Sequence, residues 1–224
     1  MAQESIGGAI DARTNKGEFT AGNDFQLGGR LIGSAQSINN GQQLSGALFV
    51  TNNTHRLKLA GIIEQGDDAE FPGGELLPTE YERQRYDVGY GFRAGNHSLQ
   101  FGYGYNDTGE SGTPALPMDI DYFEGDLYDL TYRFELADEV AITAAVFASA
   151  LDHGMTNYGL RVAPVSGTRW RRKIADSDNV GFRLHSELWD SQGSWVFGFD
   201  GMQSTHNSDI DNPNNPMFFV VNFN

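Results

Sequence analysis

The sequence predicts an all-β fold: an antiparallel up-and-down meander of about nine or ten long strands, with short turns on one rim and long loops on the other. Three observations predict it. Apolar and polar residues alternate with period 2 in nine segments, and none keeps a helical period. The connections between these segments alternate between short and long. The segments run to about 10–14 residues, against the usual 5–6 of globular sheets.

The segments follow in order. The first is Asp24–Ala35, where Phe25, Leu27 and Leu31 share one face and Asp24, Gln26 and Arg30 the other. Gln43–Thr51 follows, with Leu44, Leu48 and Val50 opposite Gln43, Ser45 and Thr51. Leu57, Leu59 and Ile63 alternate with Lys58 and Glu64. Tyr86, Val88, Tyr90 and Phe92 alternate with Arg85, Asp87, Gly89 and Gly91. Leu99, Phe101, Tyr103 and Tyr105 alternate with Ser98, Gln100, Gly102 and Gly104. Tyr128–Phe134, Val140–Ala148, Val180–Leu188 and Trp195–Phe199 continue the pattern, and Met217–Asn224 starts a tenth strand. The short links are Asn52–His55, Gly95–His97, Ala137–Glu139 and Gln192–Gly193. The long ones are Gln65–Glu80, Asn106–Asp119, His153–Asp178 and His206–Pro216.

Sorting loop lengths by rim is the habit of outer-membrane barrels, and a soluble sandwich has no need of it. Aromatic residues gather near strand ends (Tyr103, Tyr105, Tyr132, Phe134, Trp189, Trp195), as interfacial girdles do. Spanning lipid takes about 9–11 tilted residues, which these strands supply. The expected architecture is therefore a transmembrane β-barrel with lipid against the apolar face.

Composition excludes several classes. The chain has 224 residues and a formal charge of −15, with 30 acidic against 15 basic residues. Nucleic acid as a partner is excluded, since that needs a basic face. An aromatic content of 12 % is too rich for a disordered acidic chain. Zero Cys excludes disulfide scaffolds, zinc fingers and cysteine nucleophiles. The start, MAQESIGGAI, shows no signal peptide, and no apolar run approaches the ~20 residues of a membrane helix.

No catalytic signature is present. Ser5 lies outside any G-x-S-x-G turn, and Gly89, Gly91, Gly102 and Gly104 sit inside strands rather than in a GxGxxG loop. No enzyme activity and no cofactor are expected. Asp67–Asp68 and Asp119/Asp121 offer carboxylate pairs for Ca²⁺ or for acid–base work, but both lie in long loops with no second element aimed at them, and they read as solvated loop acids. Seven acidic and no basic residues in Glu64–Glu82 suit a cell-surface loop. The one strongly basic patch, Arg169, Trp170, Arg171, Arg172 and Lys173, falls in the longest loop. Arg and Trp there suit an anionic chelate by charge-assisted bonds and stacking, or anionic lipopolysaccharide, or simple charge balance. Met118, Met155, Met202 and His153 offer soft donors for copper; filler is the alternative.

The segment Glu4-Ser5-Ile6-Gly7-Gly8-Ala9-Ile10-Asp11-Ala12-Arg13-Thr14 resembles the end of the plug domain in TonB-dependent outer-membrane receptors. Thr108–Ile120 with Asp126-Leu127-Tyr128, and Asn207–Pro216, resemble extracellular loops and strands of the same family. The resemblance implies that residues 1–23 are the end of the plug and its connection, and 24–224 the N-terminal part of the barrel. It implies a fragment of a receptor that imports a scarce ligand, such as a ferric siderophore or another metal chelate. The implied location is the bacterial outer membrane, with lipid, lipopolysaccharide and the chelate as partners. The TonB complex would act through an N-terminal part of the parent. Family barrels have about 22 strands, so an open or poorly closed sheet is expected. The alternatives are a self-standing small barrel acting as passive pore or adhesin, and a soluble lectin-like β-sandwich.

Overall fold

The structure, a computed structural model, describes residues 17–222. The Glu4–Thr14 segment lies outside them. The strands are β1 (Gln26–Ala35), β2 (Gln42–Thr51), β3 (His55–Gly66), β4 (Ala69–Phe71), β5 (Gly74–Leu76) and β6 (Tyr81–Ala94). They continue as β7 (His97–Ser111), β8 (Asp119–Ala137), β9 (Val140–Thr156), β10 (Arg172–Asp190), β11 (Gly193–Asp211) and β12 (Phe219–Asn222). Ten of them form one sheet in the order β1-β2-β3-β6-β7-β8-β9-β10-β11-β12, every neighbour antiparallel. β4 and β5 make a small separate ribbon in the β3–β6 loop. Among the described residues the sheet is not closed, and β1 and β12 are its edges. Among the described residues no second layer exists, so the sandwich expectation fails and the open meander stands.

Local chemistry sets the tight turns. Asn52 Oδ1 accepts from the Thr54 and His55 N–H groups at 2.8 and 2.6 Å, folding the β2–β3 link. Asp190 Oδ1 does the same for Gln192 and Gly193 between β10 and β11. Both are side-chain mimics of a backbone turn. Gly95, at φ +53°, supplies the backbone that the two-residue β6–β7 link requires.

Register then fixes the faces. Directly facing residues lie on one side of a sheet, so the pairs Leu48↔Leu59, Leu59↔Val88, Val88↔Tyr103, Tyr103↔Tyr128, Tyr128↔Ala148 and Ala148↔Val180 trace one continuous apolar band. The pairs Lys58↔Gly89, Gly89↔Gly102 and Gly102↔Asp129 run along the opposite, polar face. A one-residue slip in any strand would exchange the faces. Glycines make room for large partners across the ladder. A Cβ on Gly181 would stand 2.3 Å from the Phe147 ring, and one on Gly91 would stand 2.4 Å from Arg56 Nε.

The strands reach further than the alternation predicts. β7 continues to Ser111, β9 to Thr156 and β11 to Asp211, while β10 begins at Arg172. The added stretches are rich in Asp, Asn, Ser and Gly and lack alternation. They are extended because the neighbouring strands offer ladder partners, with bulges at Tyr81/Arg83 and Ile120/Tyr122, so sheet pairing overrides weak local propensity. The loops shrink accordingly to residues 112–118, 157–171 and 212–218.

Candidate functional site

Among the described residues nothing covers the apolar face. Leu27 and Leu31 are each 75 % exposed, and Phe101, Leu130, Val146 and Phe199 also face outward. Among the described residues Ala141 and Pro78 are the only buried apolar side chains. On β8 the apolar run extends from Phe134 to Tyr128, on β9 from Ile142 to Ala150, and on β10 from Val180 to Leu188. Beyond it, toward the long loops, the same face turns acidic at Asp126, Glu124, Asp152, Asp178 and Asp176. Tyrosines mark the change: Tyr103 donates to Asp126 Oδ1 at 2.7 Å. At the short-turn end the same face carries two repeats of one arrangement. His55 lies against Phe92 with the rings tilted and bonds Tyr90, and His97 stacks on Phe134 and bonds Tyr132.

The polar face is a lattice of charges. Arg85 pairs with Asp87 at 2.9 Å, Arg83 with Glu64 at 3.5 Å and Arg133 with Glu187 at 2.8 Å. Glu187 also faces His185 Nε2 at 3.3 Å. A recess of about 260 Å³ opens on this face between Lys58, Arg85, Asp87, Asp129 and Ser149, with Gly102 in its wall. Charges of both signs share its lining with Tyr103, Leu127 and Phe147.

The long-loop rim is tied together by side chains. Asp119 is 1 % exposed. It accepts from Arg161 Nε and Nη2 at 2.6 and 2.7 Å, and from the Thr113 N–H at 2.8 Å. Arg161 also donates to the Leu116 and Thr113 carbonyls, so one guanidinium joins the 157–171 loop to the 112–118 loop. Burial pushes the Asp119 carboxyl up, but the Arg161 and Thr113 bonds outweigh it and hold it below its ordinary value. On the other side, buried Asn212 donates to the Gly167 carbonyl, and the Arg171 guanidinium lies 4.0 Å over the Phe218 ring. The β1–β2 link joins as well, through Asn40 to Asp67 at 3.0 Å.

These contacts correct the expectation for the loop acids. Asp119 is the first residue of a strand and has a cation aimed at it; no local pattern signals that pairing, because Arg161 is 42 residues away. Asp68 is occupied too: its Oδ1 accepts from the Thr79 and Glu80 N–H groups. Both carboxylates organise loops.

The basic patch is split. Arg169 ends a short 3-10 turn, Gly167–Arg169, while Arg172 and Lys173 belong to β10 and not to the loop. Trp170 stacks on Tyr158 at 4.7 Å and donates to the Pro164 carbonyl. Arg171 donates to the Thr168 and Trp170 carbonyls. Arg172 pairs with Asp211 at 2.6 Å. Of the four predicted contact residues, Arg169 alone keeps an exposed guanidinium with no bond among the described residues. Of the soft donors, Met155 and His153 lie near the top of β9 and Met118 directly precedes β8 at the same rim, whereas Met202 lies apart, paired with Gly181 eight positions down β11 from Ile210. Among the described residues no group of three His, Cys, Asp or Glu side chains could hold a metal ion.

The architecture defines a class: an open antiparallel wall of barrel type, with one uncovered apolar face and one charged face. Within that class the chain is similar in fold to the solved structure of the copper transporter OprC, with a TM-score of 0.73 and 22 % sequence identity. The likeness covers 88 % of this chain and 32 % of that one, so the chain spans about a third of its neighbour's length. No family model matches the chain, and no curated protein does.

Proposed function

We propose that the chain is a wall of an outer-membrane transport barrel of the TonB-dependent receptor type. The observation that carries this reading is the uncovered apolar face. A soluble protein would bury such a face, whereas lipid satisfies it. The apolar band spans residues 128–134 on β8, 142–150 on β9 and 180–188 on β10, and on the last two it reaches the roughly nine residues a tilted strand needs to cross a bilayer. The charged face then lines the lumen. The fold likeness to a protein titled a copper transporter supports a metal ion or metal chelate as the cargo. In this reading residues 24–224 are barrel wall and the residues before them connect to a plug. Lipopolysaccharide surrounds the acidic band near the long loops, and the TonB complex acts through the parent receptor. Arg169 is the guanidinium placed to meet an anionic chelate at the mouth.

The chain contains no Cys, so single introduced thiols report topology cleanly. Thr168→Cys, in the 157–171 loop, should react in intact cells with a maleimide that cannot cross the outer membrane. Asn96→Cys, in the β6–β7 turn, should react only after the membrane is opened. The opposite pattern would invert the topology, and equal labelling of both in a detergent-free soluble fraction would end the membrane reading.

A further inference from the structure

The segment that leads into β1 is held against the polar face by contacts the transport reading does not use. Thr20 N–H donates to the Asn52 carbonyl, Asn53 N–H to the Gly22 carbonyl, and Asn52 Nδ2 to the Asn23 carbonyl. Thr51 Oγ1 lies 3.3 Å from Thr20 Oγ1. At the centre sits one ring between two cations. The Arg56 guanidinium is 4.7 Å from the Phe19 centroid, and that of Arg93 is 4.5 Å from it. Arg56 Nη1 also donates to the Gly17 carbonyl at 2.7 Å. Thr51 and Arg56 lie on the polar face by register.

Two like charges beside one ring repel each other in the absence of an occupant. Arg56 and Arg93 act on each other in this unfavourable sense, and Glu18, from the same segment as Phe19, acts on Arg56 with the opposite sign. The occupant therefore supplies both components that make the pair tolerable: a π face for each cation and one negative charge. Arg56 Nε is buried without a partner, so the guanidinium is held in place by stacking and by the Gly17 bond rather than by a full set of hydrogen bonds.

We propose that Arg56 and Arg93 form a latch whose bolt is the chain's own Glu18–Phe19, fastening the segment before β1 to the polar face at the short-turn rim. The latch fixes the point from which the chain upstream of Gly17 sets out, on the polar side of the wall and next to Phe49 and Lys58, the side chains nearest a Cβ built on Gly17. It stands on local geometry and is independent of what the wall transports.

The absence of native Cys allows a direct test on the full chain in membranes. Thr20→Cys with Thr51→Cys should crosslink readily through a short thiol reagent. Ser34→Cys with Gln43→Cys, facing each other across β1 and β2, serves as the ladder control. Phe19 lies outside the sheet, so replacing it leaves every strand intact. Phe19→Ala should slow Thr20–Thr51 crosslinking roughly 5- to 30-fold, the ratio that losing one or two kcal/mol produces. Phe19→Trp, which keeps a π face, should retain the original rate. Equal rates for Phe19→Ala and the unmodified ring overturn the latch. So does equal slowing by Phe19→Ala and Phe19→Trp, or slowing that the ladder control shares.

Discussion

Leu130→Arg is expected to destabilise the protein in lipid by about 2–4 kcal/mol, the cost of a cation at the bilayer midplane on a barrel's outer surface. Leu130 lies at mid-height in the apolar band of β8, between Phe101 on β7 and Val146 on β9. It is 39 % exposed, so the arginine would suffer no steric clash, and its cost would be one of solvation. Thr131→Arg, one residue on, would put the same charge on the polar face among Asp129 and Arg133 and should cost far less. At the edge of the band, Phe134→Arg should cost about 0–1 kcal/mol beyond the lost ring contacts. Equilibrium unfolding of protein in lipid vesicles measures all three. The depth profile is the informative part. A face buried against protein would penalise bulk and charge wherever packing is tight, while a lipid face penalises charge by height alone. If Thr131→Arg costs more than Leu130→Arg, the assignment of the two faces is wrong.

That assignment was legible in the sequence because period 2 is a strong signal and each strand repeats it. Residues such as Leu48, Leu59 and Val88 each declare their face, and the observed register joins them into one band. The short turns were legible for a similar local reason, since Asn52, Gly95 and Asp190 carry turn chemistry in their own side chains or backbone. The upper parts of β7, β9, β10 and β11 were not legible. Asn106–Ser111 and Arg172–Asp178 have little β-propensity, and only the partner strands make them extended. The site suffers from the same limitation more severely. Asp119 and Arg161 come together through two loops that begin on different strands, and Arg172 meets Asp211 only because β10 and β11 pair along their whole length. A cluster such as Arg169–Lys173 looks like a displayed binding patch in one dimension; in three, most of its groups are holding the rim in shape.

Removing Arg161 should loosen that rim and reverse its response to pH. Arg161→Met leaves Asp119 buried with the Thr113 N–H as its main remaining support, and stranding one member of a buried pair costs about 3–5 kcal/mol. Asp119→Leu combined with Arg161→Met removes both charges and should restore much of the loss, because an apolar pair of similar volume avoids desolvation altogether. Amide exchange in residues 112–118 and 157–171, corrected for intrinsic rates, reads the loosening directly. The pH dependence follows from the direction of the carboxyl's shift. In the unmodified protein the Asp119 value lies below its ordinary 3.8, so the clasp is at full strength above that pH. It weakens as pH falls through the lowered native value. Protection should therefore stay constant from neutral pH down to about 4 and fall only below it. In Arg161→Met, burial acts on Asp119 without its opposing cation, so the carboxyl shifts upward and its charged form is the costly one. Acidification then relieves that cost, and the variant's loops should gain protection over the range where the unmodified protein keeps it constant. A variant that loosens in parallel with the unmodified protein would show that the contacts from Arg161 to the Leu116 and Thr113 carbonyls, rather than its charge on Asp119, hold the two loops together.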